Sequence, residues 1–291
     1  MEIAFDYASV DGNKPPDLTE FGRACVAHGS LAHIAIFRGS YGTDPDPTVD
    51  RDWGVAQRLG MTCGAYLFLR MNQVPEDQVH VFAQTVGPLT RHDLVPILDV
   101  EATGLLAQQE IEQVHRAWMA MRDIYGVPPM IYTSDRVWRE DLGSLPAGEM
   151  VDSPLWLAKP WPWQTRTPAQ LSPGPFANGH YDPAVPASWG GAKNWWMHQY
   201  QGDAFPAPGF TSTVDLSRFH PMVQGEIGTR VSWVQRRLGW PTNGLFDSSM
   251  SSRLRAFQRD AGLVADAIIG PQTFTRVAWQ AAPAPGPTLA A

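Results

Sequence analysis

The sequence is poor in cysteine and in charged residues. It contains two cysteines, Cys25 and Cys63, and only 18% of its 291 residues are charged. Two thiols cannot build a structural zinc site, and the eight histidines show no H-E-x-x-H or similarly tight ligand spacing. We therefore expect no metal and no cofactor. Two reduced, buried cysteines are favoured over a disulfide.

The sequence also lacks long apolar runs. No stretch reaches the roughly 18 consecutive apolar residues that a membrane-spanning helix needs, so we expect no membrane insertion. The segment Met1–Asp6 enters a strand pattern directly, without the basic and apolar regions of an export signal. The apolar fraction of 44% nevertheless suffices for a sizeable core, which argues against disorder.

Charge is distributed unevenly along the chain. The net charge is −7, yet residues 224–278 contain seven arginines against four acids. A basic segment joined to an acidic one indicates either an anionic partner or a solvated helix face. We expect no nucleic-acid binding, because this positive region is short and lacks the interleaved aromatic residues of a single-strand binder.

Eight apolar segments have the pattern of buried strands, and helix patterns separate the first five. The predicted strands are Ile3–Ser9, His33–Ser40, Thr62–Arg70, Leu94–Glu101, Pro129–Thr133, Leu155–Lys159, Trp195–Gln201 and Thr213–Phe219. The helix signals include a capping box at Asp17–Glu20 and a first-turn proline at Pro75. Alternating strands and helices indicate a parallel sheet, and eight strands in about 220 residues predict a closed α/β barrel of the TIM type.

The regular alternation fails in the second half of the chain. Residues 160–193 are rich in Pro, Gly and Trp without a helix pattern, and we interpret them as a loop flanking a binding cleft. After Phe219, three short helical patterns predict a small all-α module whose core should be only marginally stable alone. We predict an irregular (β/α)8 barrel over 1–222, a three-helix module over 223–281 and a disordered tail over 282–291.

Two carboxylates follow the fourth predicted strand. Asp99 and Glu101 are two residues apart, so strand alternation places them on one face. Neighbouring like charges raise one another's pKa, which lets a general acid keep its proton near neutral pH. A solvated or ion-paired strand end is the structural alternative.

Barrel topology predicts a ring of acids. Strand ends meet at one mouth, and closure brings the eighth strand beside the first, so Asp6 and Asp215 should join Asp99 and Glu101. Polar and aromatic side chains are expected around them: Arg38, Tyr66, Phe68, Arg70, Tyr132, Trp156, His198, Gln199 and Tyr200. This combination suits a sugar, and glycoside hydrolysis needs an acid and a second stabilising group. Alternatively, Asp6 caps a turn, Asp215 pairs with Arg218, and the aromatics belong to the core.

The segment from Ile3 to Phe219 resembles glycoside hydrolase family 25, the Chalaropsis-type lysozymes common among bacteriophage endolysins. The matching pieces are Phe5–Ser9, Tyr41–Gly42 with Asp46–Pro47, Gly64–Phe68, Leu98–Glu101, Ile131–Thr133, Leu155–Ala158, His198–Tyr200 and Val214–Phe219. The resemblance implies a barrel with helices missing in its second half and cleavage of the β-1,4 bond between N-acetylmuramic acid and N-acetylglucosamine in peptidoglycan. It also implies roles for individual residues: Glu101 as general acid, Asp99 as its partner, Asp6 and Asp215 as supporting carboxylates, and Tyr66, Tyr132 and Gln199 as substrate contacts.

The C-terminal segment resembles a three-helix peptidoglycan-binding domain. The resemblance rests on Val231–Leu238, Gly244–Asp247, Phe257–Gln258, Gly262–Leu263 and Asp266–Thr273. In the second turn, Ala267 stands where a glycine normally follows the acid.

Together, these features predict a bacteriolytic muramidase of the endolysin kind that is held on peptidoglycan by its C-terminal module. We expect a monomer, made in the cytoplasm and acting on the cell wall, with a separate permeabilising protein aiding export. Two alternatives are a catalytically inactive wall-anchoring protein and a glycosidase acting on chitin-like glycans. Direct attack by water and assistance by the substrate's acetamido oxygen both remain open.

Overall fold

The structure is a computed structural model that describes residues 1–8, 15–101, 106–159, 171, 182–189, 194–205 and 207–280. The predicted tail 282–291 lies outside the described residues, as does most of the predicted loop 160–193. No helix in the described part of the chain has the length and apolar character needed to cross a bilayer.

Eight strands close into a barrel, as the sequence predicts. They are β1 (Glu2–Tyr7), β2 (Leu31–Tyr41), β4 (Thr62–Phe68), β5 (Ile97–Asp99), β6 (Met130–Thr133), β7 (Leu155–Ala158), β8 (Trp195–Phe205) and β9 (Val214–Phe219). The order β1-β9-β8-β7-β6-β5-β4-β2 is closed by pairing of β1 with β2. A two-residue strand, β3 (Asp44–Pro45), folds back on the end of β2.

One strand runs against the direction expected from a parallel sheet. β9 is antiparallel to both β8 and β1, and it pairs Asp6 with Asp215. Asp215 is the second residue of β9, so in a parallel strand it would lie at the end of the barrel opposite Asp6. The reversal brings the two aspartates together.

Among the described residues, α-helices link the strands in the first half of the barrel only. They are α1 (Leu18–Ala27), α2 (Val49–Arg58), α3 (Pro75–Val86) and α4 (Ala107–Tyr125). Asp17 caps α1, accepting from the backbone N–H of Thr19 at 3.1 Å and of Glu20 at 3.0 Å. Between β6 and β7 the chain makes a π-helical turn, Val137–Asp141, and a 3-10 turn, Gly148–Asp152. The predicted loss of helices in the second half is thus confirmed for the described residues.

Three further helices form the C-terminal module: α5 (Thr229–Arg237), α6 (Ser248–Asp260) and α7 (Pro271–Ala278). The same contact between a helix and the turn that follows it occurs twice, after α5 and after α6. Gln235 accepts from the N–H of Gly244 at 2.9 Å, and Gln258 accepts from the N–H of Ala267 at 2.9 Å. Ala267 has φ +62°, so it occupies the left-handed conformation that glycine usually fills.

The module packs against the barrel end where the parallel strands begin. The buried ring of Phe274 lies 4.7 Å from Trp196, 5.7 Å from Phe219 and 6.0 Å from Trp233. Trp233 also donates its indole N–H to the backbone oxygen of Asp152 at 2.8 Å. One apolar cluster therefore runs from the barrel into the module.

Much of the module's positive charge faces the barrel. Arg230 donates to the backbone oxygen of His220 at 2.9 Å, and its guanidinium lies 4.9 Å from the ring of Trp196. Arg236 donates to Asp152 at 2.8 Å. The charge asymmetry seen in the sequence thus partly serves contacts within the chain.

Both cysteines are free and buried, in agreement with the sequence prediction. Burial raises the pKa of the Cys25 and Cys63 thiols to about 12. Both side chains therefore stay protonated and pack as small apolar groups.

Candidate active site

Three strands bring two carboxylates and an amide together at the mouth. Gln199 on β8 donates through Nε2 to Asp6 Oδ1 at 3.3 Å and to Asp215 Oδ2 at 3.2 Å. Both distances are long for charge-assisted bonds, so the amide bridges the two acids loosely. The predicted meeting of Asp6 and Asp215 at one rim is thus present, with Gln199 between them.

Tyr132 fixes the orientation of this amide. Its hydroxyl donates to Gln199 Oε1 at 2.6 Å, which leaves Nε2 facing the acids. The flipped amide would turn its oxygen toward two carboxylates, which is unfavourable. Trp156 packs edge-on against Tyr132 at 4.6 Å and donates to Ser217 Oγ at 2.9 Å. Trp156 therefore holds the ring of Tyr132 in place through this contact.

Asp99 and Glu101 lie together at the end of β5. Asp99 is 5% exposed, whereas Glu101 is exposed at the rim. Burial, the charge of Glu101 and then that of Asp6 raise the pKa of Asp99 well above its usual range, and a side-chain hydrogen bond between Asp99 and Glu101 adds to this. The pair therefore keeps a proton to higher pH than an isolated carboxyl group would.

Two tyrosines stay protonated beside the acids. Burial, followed by the charges of Asp6 and Asp99, raises the pKa of Tyr66 well above 10. Burial and then the charges of Glu101 and Asp99 do the same for Tyr132. Both hydroxyls can therefore donate hydrogen bonds near neutral pH.

The mouth opens into a cleft with two lobes. The inner lobe has a volume of about 280 Å³ and the outer lobe about 870 Å³. Four residues line both lobes: Glu101, Tyr132, Gln199 and Asp215. The inner lobe also contains Asp6, Arg38, Tyr66, Phe68, Asp99 and Trp156. A polymeric ligand that occupied both lobes would therefore pass beside Glu101.

An aromatic platform lies at the edge of the inner lobe. Tyr41, which is 38% exposed, stacks on Phe68 at 4.7 Å with 25° between the rings. The guanidinium groups of Arg70 and Arg38 lie 5.1 and 5.9 Å from the Tyr41 ring. Such a face suits the C–H surface of a sugar. Sequence reasoning did not select Tyr41 as a site residue, although it follows Arg38 at the end of the same strand.

Tyr200 is not among the described residues that line the cleft. It is fully buried in the cluster that contains Phe5, Phe21 and Cys25, outside the barrel wall. Strand alternation explains this placement, because Gln199 faces inward and its neighbour must therefore face outward.

His198 likewise lies outside the cleft. Its Nδ1 accepts from Arg218 Nε at 3.1 Å and its Nε2 meets the Lys159 carbonyl at 2.8 Å, so the proton is on Nε2. Burial lowers its pKa to about 4, and the ring is neutral near pH 7. Arg218 forms an ion pair with Asp182.

The donor set of the cleft does not suggest a metal centre. Among the described residues, no three His, Cys, Asp or Glu side chains are arranged to hold a metal ion. The cleft offers a carboxyl pair that keeps a proton to higher pH than an isolated carboxyl group, two further carboxylates bridged by an amide, and phenol donors. These groups can donate a proton to a leaving oxygen and stabilise a developing positive charge.

Comparison with protein families gives two matches. Residues 27–207 match the model described as glycosyl hydrolases family 25, and residues 228–277 match a peptidoglycan binding domain. The first range contains Asp99 and Glu101. Asp6 and Asp215 lie outside it, so their place beside the pair comes from the fold.

Among curated relatives, an uncharacterized protein YegX of Escherichia coli K12 is 26% identical over 180 residues, which cover 62% of this chain and 56% of the relative. The chain thus spans little more than half the length of the curated relatives it matches.

Solved structures show the same fold. A muramidase from Acremonium alcalophilum is 21% identical with a TM-score of 0.55, covering 76% of this chain and 94% of its own. A lysozyme from Streptomyces coelicolor is 20% identical with a TM-score of 0.56, covering 75% and 91%.

Proposed function

Because the chain belongs to glycosyl hydrolases family 25, we propose that it is an N-acetylmuramidase that hydrolyses the β-1,4 bond between N-acetylmuramic acid and N-acetylglucosamine in peptidoglycan. The observation that carries the proposal is the Asp99–Glu101 pair, in which a buried carboxyl with a raised pKa adjoins an exposed one in the cleft. The peptidoglycan-binding match in the same chain supports the choice of glycan.

In the proposed reaction, Glu101 is the general acid. It lines both lobes, so it can reach a bond between sugars that occupy them. It transfers its proton to the leaving glycosidic oxygen as the bond to the anomeric carbon breaks. Asp99 hydrogen-bonds to Glu101 and accepts part of the negative charge left on the pair.

Asp6 and Asp215 are proposed to stabilise the oxocarbenium-like centre. Gln199 bridges both, so it holds two like charges at the same rim without neutralising them. Water, or the substrate's own acetamido oxygen, then attacks the anomeric carbon. Measuring the anomer released first by NMR distinguishes direct attack, which inverts the configuration, from acetamido assistance, which retains it.

We also propose a bacteriolytic role of the endolysin kind, with the C-terminal module holding the enzyme, as a monomer, on the wall. Docking of the module onto the barrel supports a fixed arrangement of the two parts rather than a loose tether. The first alternative, an inactive wall-anchoring protein, predicts no turnover of cell walls. The second, a glycosidase for chitin-like glycans, predicts turnover of chitin oligomers.

The direct test is the Glu101→Gln variant on purified cell walls. Loss of the proton donor is expected to lower turnover by about 10²–10⁴-fold with the thermal unfolding midpoint little changed. Glu20→Gln is the matched control, because Glu20 is an exposed acid on α1. Mass spectrometry of the fragments should show muramic acid at the new reducing end. Full turnover by Glu101→Gln would remove Glu101 from the acid role.

A further inference from the structure

A second groove lies at the opposite end of the barrel from the cleft, where the module meets the strand starts. It consists of two cavities of about 460 and 440 Å³ that share Gly60, Thr62, Leu263 and Gln272. Thr62 opens β4, whereas Asp99 of the cleft closes the neighbouring parallel strand β5. Since barrel and module both line it, this junction groove exists only in the docked chain.

The junction groove contains a buried arginine without an acid partner. Four arginines are buried among the described residues, and three pair with carboxylates. These pairs are Arg218–Asp182, Arg230–Glu226 and Arg237–Asp152. Arg276 is 9% exposed, lines the groove, and has no carboxylate oxygen of a described residue within 4.0 Å. A buried charge without a counter-ion is costly, so Arg276 is suited to receive an anion.

The neighbours of Arg276 increase the number of available donors. Its guanidinium NH2 group lies 2.8 Å from His92 Nδ1, and arginine can only donate, so the ring carries its proton on Nε2. His92 therefore offers a second N–H at the exposed rim. The one acid lining this cavity, Asp93, already accepts from the N–H and the hydroxyl of Thr90 at 3.0 and 2.8 Å.

The rest of the groove resembles a peptide site more than a site for a free ion. Exposed amide side chains, Gln57 and Gln272, flank the arginine and can bond to a peptide backbone. The adjoining cavity is lined partly by Leu263, Val264 and Ile268, which suit small apolar side chains. Its two acids have partners within the chain: Glu2 pairs with His33, and Asp266 accepts from Gln258. A neutral glycan would leave the arginine without an anionic partner.

We propose that the junction groove binds a short peptide that ends in a free carboxylate, with Arg276 as the carboxylate ligand. Resting on the proposed function, this assigns recognition of the peptide part of peptidoglycan to the groove and cutting of the glycan to the cleft. The two sites lie at opposite ends of one packed unit. The peptide bound in the groove and the glycosidic bond cut in the cleft therefore belong to different parts of the wall.

The test is calorimetric titration of the full chain with acetyl-D-alanyl-D-alanine and with its C-terminal amide. The acid should bind, and the amide should bind at least about tenfold more weakly, because a bond to a charged group is lost. Arg276→Gln should weaken binding of the acid by a similar factor. Arg253→Gln, an exposed arginine of α6, is the matched control and should bind within twofold of the unaltered chain.

A second variant keeps the proposal falsifiable if Arg276→Gln unfolds. Gln272 is exposed at the groove, so Gln272→Glu should leave the fold intact while its charge repels the carboxylate and lowers affinity at least about tenfold. Equal binding of acid and amide, or undiminished binding by the variants, would overturn the proposal, as would no detectable binding to the unaltered chain. These readouts need no turnover, so their failure is distinct from a failure of the proposed muramidase activity.

Discussion

Replacing Phe274 by alanine tests whether the module and the barrel fold as one unit. The ring is fully buried and lies within 6.0 Å of two barrel rings, Trp196 and Phe219, and of Trp233 in the module. Removing a phenyl ring from such a site costs about 3–5 kcal/mol. At roughly 2–3 °C per kcal/mol for a chain of this size, the unfolding midpoint should fall by about 6–15 °C.

Differential scanning calorimetry is the assay. The unaltered chain should unfold in one transition, and Phe274→Ala should shift the whole of it, because the cavity weakens the core shared by both parts. Ile227→Ala is the control: this side chain is 76% exposed in the same module, and its loss should cost less than about 0.5 kcal/mol. Two separate transitions, with only a small one shifted by Phe274→Ala, would refute the shared core.

Three further outcomes are expected. Urea titrations should show the stability of the unaltered protein falling relative to that of Asp99→Asn as pH rises from about 4 toward the raised pKa of Asp99, because only the unaltered folded state binds the extra proton. The buried histidines His198 and His220, whose lowered pKa acts in the opposite direction, are common to both proteins and cancel in this comparison. Asp99→Asn should also turn over cell walls more slowly. Tyr41→Ala should raise KM about 2–10-fold with a smaller change in kcat, whereas Tyr41→Phe keeps the stack on Phe68 and the KM. Gly209→Ala should cost at least about 2 kcal/mol in chemical denaturation, because φ is +86° and the new Cβ would lie 2.2 Å from the Asp17 carbonyl.

Local sequence signals predicted the elements well. Each predicted strand has a counterpart in the barrel, and the caps at Asp17 and Pro75 begin helices where expected. These features depend on neighbours in the chain: apolar runs form buried strands, and a side chain two or three residues away satisfies a helix terminus. For the same reason Asp99 and Glu101 could be identified as a pair from their spacing alone.

Side-chain direction was predicted less well. Gln199 and Tyr200 were both expected at the mouth, yet adjacent strand residues face opposite sides, and Tyr200 packs outside the barrel. Tyr41 was not selected, because its role depends on stacking with Phe68 from a neighbouring strand. Strict use of strand alternation would have excluded Tyr200. The place of Tyr41 at a strand end after Arg38 was a local signal for the site, but nothing local indicated its stacking on Phe68.

The sequence by itself determined the order of strands and helices, the paired acids and the two families, since all of these depend on residues close together in the chain. Tertiary structure decided the reversed direction of β9, which places Asp215 beside Asp6. It also decided the docking of the module, which leaves Arg276 buried with no carboxylate of a described residue within 4.0 Å. Both depend on contacts between segments far apart in sequence. Such contacts are chosen by burial over the whole fold, and no short pattern encodes them.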